Sequence, residues 1–178
     1  MLRRSLRPWE TLMRRSVELY QKAAMGFEQL SLASPDALPD DARTIQSTAE
    51  HSFNEAQDLG RIWTRAGPEQ GILRSSQFHS YRRILSRISY LIHLYADVTP
   101  WISGPIPAHR VEASDIAMML RKNIAQEFLV LRDVPALRRK MIPTFSELIT
   151  RMDTAIERDV FPLRPVVDSW GPRPQYDA

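Results

Sequence analysis

Residues 81–95 read YRRILSRISYLIHLY, and this stretch decides the fold class. Its apolar side chains recur at steps of three and four residues, which is the spacing that places them on one face of an α-helix. A strand would alternate apolar and polar residues, and no part of the chain does so convincingly. We therefore predict an all-α protein in which this stretch is a helix that ends before Pro100. Its stripe consists of Tyr81, Ile84, Leu85, Ile88, Leu91, Ile92 and Tyr95.

Two amphipathic helices are predicted upstream of this stretch, at about residues 9–32 and 40–65. Gly67-Pro68 is expected to end the second helix, because glycine and proline interrupt helices. The third helix is then predicted to begin near Pro68-Glu69, since a proline in the first turn lacks only an N–H that has no helical partner there. Residues 1–98 are thus predicted to form an antiparallel three-helix bundle.

The part of the chain after this bundle is rich in proline, with nine of the thirteen prolines after residue 95. Residues 99–113 are predicted to be a Pro/Gly linker that cannot be helical. Residues 114–160 are predicted to form C-terminal helices that begin at a Ser114-Asp115 cap. New helices are expected to open at Pro135 and Pro143.

The last residues, 161–178, are predicted to be an extended Pro-rich tail. Such an arm would lay its backbone and its aromatic residues across a neighbouring protein. Three aromatic residues of the linker and tail are therefore expected to be exposed, namely Trp101, Trp170 and Tyr176.

Composition limits the classes of protein that this chain can belong to. Apolar residues make up 43% of its 178 residues, which is enough for a hydrophobic core. No apolar run approaches the roughly 20 residues of a membrane span, so we expect a soluble or peripheral protein. The chain has a net charge of +3, with 21 Arg against 3 Lys. Arginine suits interfaces with carboxylates and phosphates, although a GC-rich genome would give the same bias.

Catalytic and metal-binding patterns are missing from the sequence. There is no cysteine, which excludes disulfides, thiolate ligands and cysteine nucleophiles. No Gly-x-Ser-x-Gly elbow and no Gly-rich phosphate loop occurs. The four histidines do not form the i,i+4 pair of a helical zinc site. We therefore predict a protein that is not an enzyme and holds no metal; the histidines are His51, His79, His93 and His109.

The first nine residues carry Arg3, Arg4 and Arg7 and no acid. A basic, acid-free N-terminus that continues as an amphipathic helix is typical of a mitochondrial targeting segment. An ordinary basic helix start would look the same. We predict mitochondrial import with a signal that stays on the protein.

Three features occur in the order found in one known family. Leu19-Tyr20 lies on the first helix, Phe53 follows 33 residues after Tyr20, and Gly67-Pro68-Glu69 precedes the third helix. This combination resembles the LYR-motif family of small mitochondrial three-helix proteins, over about residues 10–95. The chain departs from that pattern at Gln21, which replaces the motif arginine and is followed by Lys22. It departs again before Phe53, where the family's basic residues are replaced by Glu50 and His51 and the nearest upstream base is Arg43.

The resemblance implies a partner and a site. Proteins of this family bind the mitochondrial acyl carrier protein, whose acyl-phosphopantetheine chain threads between the three helices. No cofactor is then bound directly, and only the carrier's own prosthetic group enters the protein. Small residues (Ala23, Ala24, Ala49 and Ala56) would leave room for the chain. The site implied for this protein consists of Leu19, Tyr20, Lys22, Ala23, Phe27, Arg43, Phe53, Arg82, Arg83 and Leu85.

The function implied is that of a non-catalytic accessory subunit on the matrix side of the mitochondrial inner membrane. The respiratory chain, and complex I in particular, is favoured as the host, because a long Pro-rich arm suits a permanent subunit. Two alternatives stay open. Arg82, Arg83 and Arg87, expected on an outer face, and the basic run 138–140 would suit RNA contacts in a mitochondrial ribosome or assembly module. The other alternative is a generic helical scaffold with no LYR ancestry.

Overall fold

The computed structural model describes residues 8–34, 36–69, 76–140 and 142–176. These residues form helices joined by turns and contain no strand, so the prediction of an all-α protein is confirmed for the described part of the chain. The basic residues Arg3, Arg4 and Arg7 of the expected targeting segment lie outside the described residues. None of the described helices has both the length and the apolar content that a membrane span requires.

Six α-helices and one short 3₁₀ helix follow one another along the described ranges. We name the 3₁₀ helix, Thr99–Ser103, the 3₁₀ turn. The α-helices are α1 Pro8–Leu32, α2 Ala42–Glu69, α3 Ser76–Val98, α4 Pro107–Lys140, α5 Ile142–Asp159 and α6 Leu163–Ser169.

Helices α1 and α2 pack along each other as a close hairpin. Gly26 of α1 makes this approach possible, because a Cβ atom built on it would lie 2.8 Å from the Cβ of Ala49 on α2. Further along the seam, the buried hydroxyl of Ser16 donates a hydrogen bond of 2.9 Å to the backbone carbonyl of Ala56. Small residues at the seam therefore bring the two backbones together.

Helix α3 is the centre of the molecule and contacts α1, α2, α4, α5 and α6. Since other helices cover it from several sides, its apolar positions are almost wholly inaccessible to water. One hydrophobic cluster extends from Trp9 on α1 to Trp170 after α6. The described residues before and after residues 99–113 therefore share one continuous core. The α3 residues with no exposed surface are Ile84, Ile88, Leu91, Ile92, Leu94 and Val98.

The predicted start of the third helix at Pro68 is wrong, because α2 continues to Glu69 and α3 is described from Ser76. Pro68 lies in the last turn of α2. There its missing N–H removes a single backbone hydrogen bond next to carbonyls that have no helical partner in any case.

The predicted loop at residues 99–113 is also wrong. Its first residues form the 3₁₀ turn and its last residues form the first turns of α4. Pro100 and Pro107 each stand in a first turn, where no backbone N–H is needed. Ser114-Asp115 consequently lies inside α4 and caps no helix, and α4 runs through Pro135 without a new start.

The tail is not an extended arm that needs another protein. It forms α6 and then turns at Gly171, whose φ of 98° favours glycine. Trp170 packs edge-on against Trp101 with ring centroids 5.5 Å apart, and His109 stacks on Trp170 at 5.2 Å. The exposed fractions of Trp101, Trp170 and Tyr176 are 4%, 8% and 6%. The expectation that these aromatic residues are exposed is therefore wrong, because the chain's own helices bury them.

Candidate functional site

An open cleft of about 400 Å³ lies between α2 and α3, with α1 forming part of its floor. Its size falls within the usual range for a small-molecule pocket. We call it the α2–α3 cleft. It is lined by Ser16 and Tyr20 of α1, by Gln57, Gly60, Arg61, Trp63, Thr64 and Arg65 of α2, and by Arg82, Leu85, Ser86 and Ser89 of α3.

The floor of the cleft is apolar, with a few polar groups. Tyr20, Trp63 and Leu85 are all at least 96% buried. Tyr20 packs edge-on against Phe53 at 5.9 Å. Burial raises the pKa of Tyr20, and a hydrogen bond with Ser89 only partly offsets this effect. The Tyr20 hydroxyl is therefore protonated at neutral pH and remains a hydrogen-bond donor.

The rim of the cleft is basic. Arg61, Arg65 and Arg82 line it, and none of its described lining residues is acidic. Arg61 pairs with Asp58 at 2.9 Å, but both side chains are largely exposed, so this ion pair is weak. Arg65 and Arg82 form no ion pair with any described residue. The rim can therefore attract an anion, most strongly at low ionic strength.

One polar atom of the floor has no hydrogen-bond partner. The indole Nε1 of Trp63 is buried and unpaired among the described residues, although an indole N–H can only donate. Gly60 lies beside it. A Cβ atom built on Gly60 would be 3.9 Å from this nitrogen and 4.0 Å from the Tyr20 hydroxyl. The glycine thus leaves a space next to the Trp63 nitrogen and the Tyr20 hydroxyl.

The structure brings three of the expected site residues together, namely Tyr20, Arg82 and Leu85. Three others, Leu19, Ala23 and Phe27, are buried in the core. Phe53 supports the floor through its contact with Tyr20.

The remaining expected site residues lie apart from the cleft. Lys22 lines a groove between α1 and α2, together with Gly26. Arg43 lines a depression beside Arg173 of the tail. Arg83 lies on the α5 side of α3, where it forms an ion pair with Asp153. These basic residues therefore do not form one rim.

The expected space among the alanines of α1 and α2 is filled by the opposing helix. Ala23, Ala49 and Ala56 are at most 2% exposed. Ala24 is half-buried and packs against the same core. A groove remains beside Ala49 between α1 and α2, but the opening with the arginine rim lies between α2 and α3.

A second cluster links α3, α4 and α5. Arg87 is 5% exposed, and its guanidinium donates to both Glu127 carboxylate oxygens at 2.7 and 3.0 Å and to Asp153 at 2.6 Å. Burial alone would lower the pKa of Arg87, but the hydrogen bonds with Glu127 and Asp153 raise it, so the group stays charged. The expectation that Arg87 lies on an outer face is wrong. A buried, paired guanidinium holds helices together and cannot meet a phosphate from solvent.

Sequence reasoning missed Gln57, Gly60, Trp63 and the two α2 arginines as parts of a site. A signal for the arginines was present, since Arg61 and Arg65 are four residues apart and share a helix face. Nothing in the sequence indicates that Trp63 lacks a partner. Among the described residues, no three histidine or acidic side chains are placed to hold a metal ion.

Comparisons with known protein families, with curated proteins and with solved structures find no match for this chain. The resemblance to the LYR-motif family therefore rests on the residues of this chain alone.

Proposed function

We propose that this chain is a non-catalytic docking protein that binds an acidic acyl carrier protein and receives the carrier's acyl-phosphopantetheine arm in the α2–α3 cleft. The observation that carries the proposal is the combination of an arginine rim with an apolar floor in one opening. Tyr20, Arg82 and Leu85, three residues implied by the LYR resemblance, all line this opening.

The chemistry of the two partners is complementary. Arginine forms bidentate hydrogen bonds with phosphate and carboxylate groups, which suits the phosphodiester of the arm and the acidic surface of the carrier. The floor offers apolar surface to the acyl chain. Each methylene group that leaves water contributes about 0.8 kcal/mol before ordering costs.

The wider assignment, an accessory subunit of a mitochondrial respiratory complex with complex I as the host, is part of the same proposal and rests on the resemblance. The tail no longer supports it, because Trp101, Trp170 and Tyr176 are buried within this chain. An apolar stripe on α4 supports contact with neighbouring subunits instead. Val111, Met118 and Leu129 are each more than half exposed, and their spacings of seven and eleven residues place them on one helix face.

RNA contact through α3 has less support. Arg87 is buried and Arg83 is paired with Asp153, so two of the three arginines expected to meet phosphates are already neutralised.

The test is a binding titration, measured by calorimetry, of the full chain with a mitochondrial acyl carrier protein. The carrier is used in its apo, holo and long-chain acylated forms. We expect the acylated form to bind at least about tenfold more tightly than the apo form, because burial of only a few methylenes gives that ratio. Arg65→Glu with Arg82→Glu is expected to weaken binding to a similar extent.

The matched control replaces two exposed arginines outside the cleft, Arg132→Glu on α4 and Arg151→Glu on α5. Equal loss in the control pair would show nonspecific charge attraction and contradict the proposal. Absence of binding by every form of the carrier would also contradict it and would leave a generic helical scaffold as the function.

A further inference from the structure

We propose that the α2–α3 cleft also contains a niche for a free oxyanion, formed by Gly60, Trp63 and Tyr20 beneath the arginine rim. Its ligand is a small amphiphile that carries a carboxylate or a phosphate monoester on a short apolar chain. The niche shares the cleft with the proposed docking function but requires no carrier protein.

The first argument is the unpaired donor at the floor. Trp63 is 98% buried, and its Nε1 has no hydrogen-bond partner among the described residues. Buried polar groups are nearly always paired, so an orphaned N–H beside an opening indicates a missing acceptor. An indole N–H can bind only an acceptor, which selects a ligand oxygen and excludes a cation.

The second argument is the space beside this donor. Gly60 contributes no side chain, and the position where its Cβ would stand is about equally far from the Trp63 nitrogen and the Tyr20 oxygen, at 3.9 and 4.0 Å. An oxygen atom beside Gly60 would lie near both groups. Because the Trp63 nitrogen has almost no exposed surface, such an oxygen bonds it only after a small shift of the surrounding side chains. The Tyr20 hydroxyl lies near Ser89, which accepts a hydrogen bond of 3.1 Å from Gln57. The niche is therefore held in place by side chains from α1, α2 and α3.

The third argument is charge. Arg65 and Arg82 lie at the rim and form no ion pair with a described residue, whereas Arg61 forms an ion pair with Asp58. Two guanidinium groups without an ion pair in the described part of the chain, together with neutral donors beneath them, favour an anionic head group. Leu85 supplies apolar surface beside the niche for the attached chain.

The test uses the full chain and NMR of its indole N–H groups, with the Trp63 resonance assigned from Trp63→Phe. The probes are octanoate, octyl phosphate, inorganic phosphate and octanol. We expect the Trp63 resonance to shift and saturate with octanoate, octyl phosphate or both, while the resonances of Trp101 and Trp170 stay in place. The relative affinities of the two amphiphiles show which head group the niche prefers, and weaker binding of inorganic phosphate alone would show that the apolar chain contributes to binding.

Octanol distinguishes an oxyanion niche from a merely apolar cleft. Octanol binding as tight as that of octanoate would overturn the proposal, and so would a Trp63 resonance that none of the probes moves.

Gly60→Ala is the sharpest variant, because its methyl group fills the niche at ordinary contact distances and so leaves the fold intact. We expect it to reduce affinity for the anionic probes by at least about tenfold, the loss of one good charge-assisted contact. Asn54→Ala, at an exposed position of α2 outside the cleft, is the control and should bind as the wild type does. If Gly60→Ala bound the anionic probes as tightly as the wild type does, the proposed niche would be overturned. Because these probes need no carrier, failure here and failure of carrier docking are separate results.

Discussion

Gly26 and Gly60 both lie in helix interiors, where glycine is normally unfavourable. The structure gives them opposite surroundings. The space beside Gly26 is occupied by Ala49 of the facing helix, whereas Gly60 opens onto the cleft. One glycine is therefore required by packing, whereas no close neighbour requires the other.

The substitution Gly26→Ala is expected to lower the free energy of unfolding by about 1–3 kcal/mol, because its methyl group would overpack the α1–α2 seam. Gly60→Ala is expected to raise it by about 0.5–1 kcal/mol, since alanine is the better helix former and meets no close neighbour. Urea denaturation of both variants checks the pair. A Gly26→Ala protein as stable as Gly60→Ala would contradict the close seam.

Glu127 is 2% exposed, and both of its oxygens accept hydrogen bonds from Arg87. Glu127→Leu leaves a buried guanidinium with Asp153 as its only remaining carboxylate partner in the described cluster. We expect a loss of about 3–5 kcal/mol in unfolding free energy, as for other broken buried pairs. Chemical denaturation measures this loss. The double variant Arg87→Met with Glu127→Leu should recover most of it, and Glu112→Leu on the exposed surface of α4 should lose little.

At the scale of elements, the segment after α6 acts as a strap. Arg173 forms an ion pair of 2.8 Å with Glu50 on α2 and a longer one of 3.5 Å with Asp97 on α3. Pro174 contacts Gly104 after the 3₁₀ turn, where a Cβ atom would be only 3.3 Å from the proline ring. Tyr176 then packs against Leu30, Ala42 and neighbouring residues where α1 ends and α2 begins. The strap therefore ties the last described residues to α1, α2 and α3, which are far from it in sequence.

Two substitutions of Tyr176, at the end of the strap, are expected to have different effects on the free energy of unfolding. Tyr176→Ala is expected to lower the unfolding free energy by about 3–5 kcal/mol, because a buried aromatic ring is lost. Tyr176→Phe is expected to leave it unchanged or to raise it by about 1 kcal/mol, since the Tyr176 hydroxyl is buried with no described partner. Thermal unfolding of both variants tests this. Similar losses in the two variants would show that the hydroxyl is bonded.

At the scale of the whole molecule, several buried tyrosines are expected to make the protein less stable at alkaline pH. Burial raises the pKa of Tyr20, Tyr81, Tyr95 and Tyr176. A tyrosine whose pKa is higher in the folded state stays protonated there while the unfolded chain ionises, so its contribution to stability is lost as pH rises above the unfolded value of about 10.

We therefore expect the free energy of unfolding to fall steeply above about pH 10. Tyr176→Phe should fall less steeply, by up to about 1.4 kcal/mol for each pH unit, because one ionising group has been removed. Urea midpoints from about pH 8 to about pH 11 measure the difference. Parallel curves for the wild type and the variant would contradict burial of Tyr176.

The central position of α3 makes the fold depend on the C-terminal half. Leu91, Leu94 and Val98 are four, seven and eleven residues after Arg87, so they share its face of α3. Arg87 bonds to Glu127 on α4, which shows that this face is covered by α4. Cutting the chain after α3 would expose these three fully buried residues.

A fragment of residues 1–98 is thus expected to lack a cooperative thermal transition as a monomer, since this face would be open to water. Circular dichroism during heating, together with sedimentation, provides the measurement. The full chain is the control. A monomeric fragment that melts cooperatively would support the predicted three-helix domain with a boundary near residue 98.

The spacing of apolar residues was enough to predict helices, because one helix face must be buried and the period of that face is visible in residues such as Ile84, Ile88 and Leu91. Tyr20 and Leu85 entered the predicted site through the family resemblance, and the structure places both on the lining of the α2–α3 cleft. Several helix boundaries that were predicted from prolines are wrong. The pattern cannot distinguish a proline that breaks a helix from one in a first turn, as at Pro107, or from one tolerated inside a long helix, as at Pro135.

By itself, the sequence determined the helical class and the apolar faces, because both depend on residues close together in the chain. Only the tertiary structure decided that Trp101, Trp170 and Tyr176 are buried, that Arg87 is paired with Glu127, and that a cleft opens between α2 and α3. Each of these facts depends on contacts between residues some 40 or more positions apart or on space that helices leave unfilled. The sequence alone does not show whether the partner of an apolar or charged residue belongs to this chain or to another molecule.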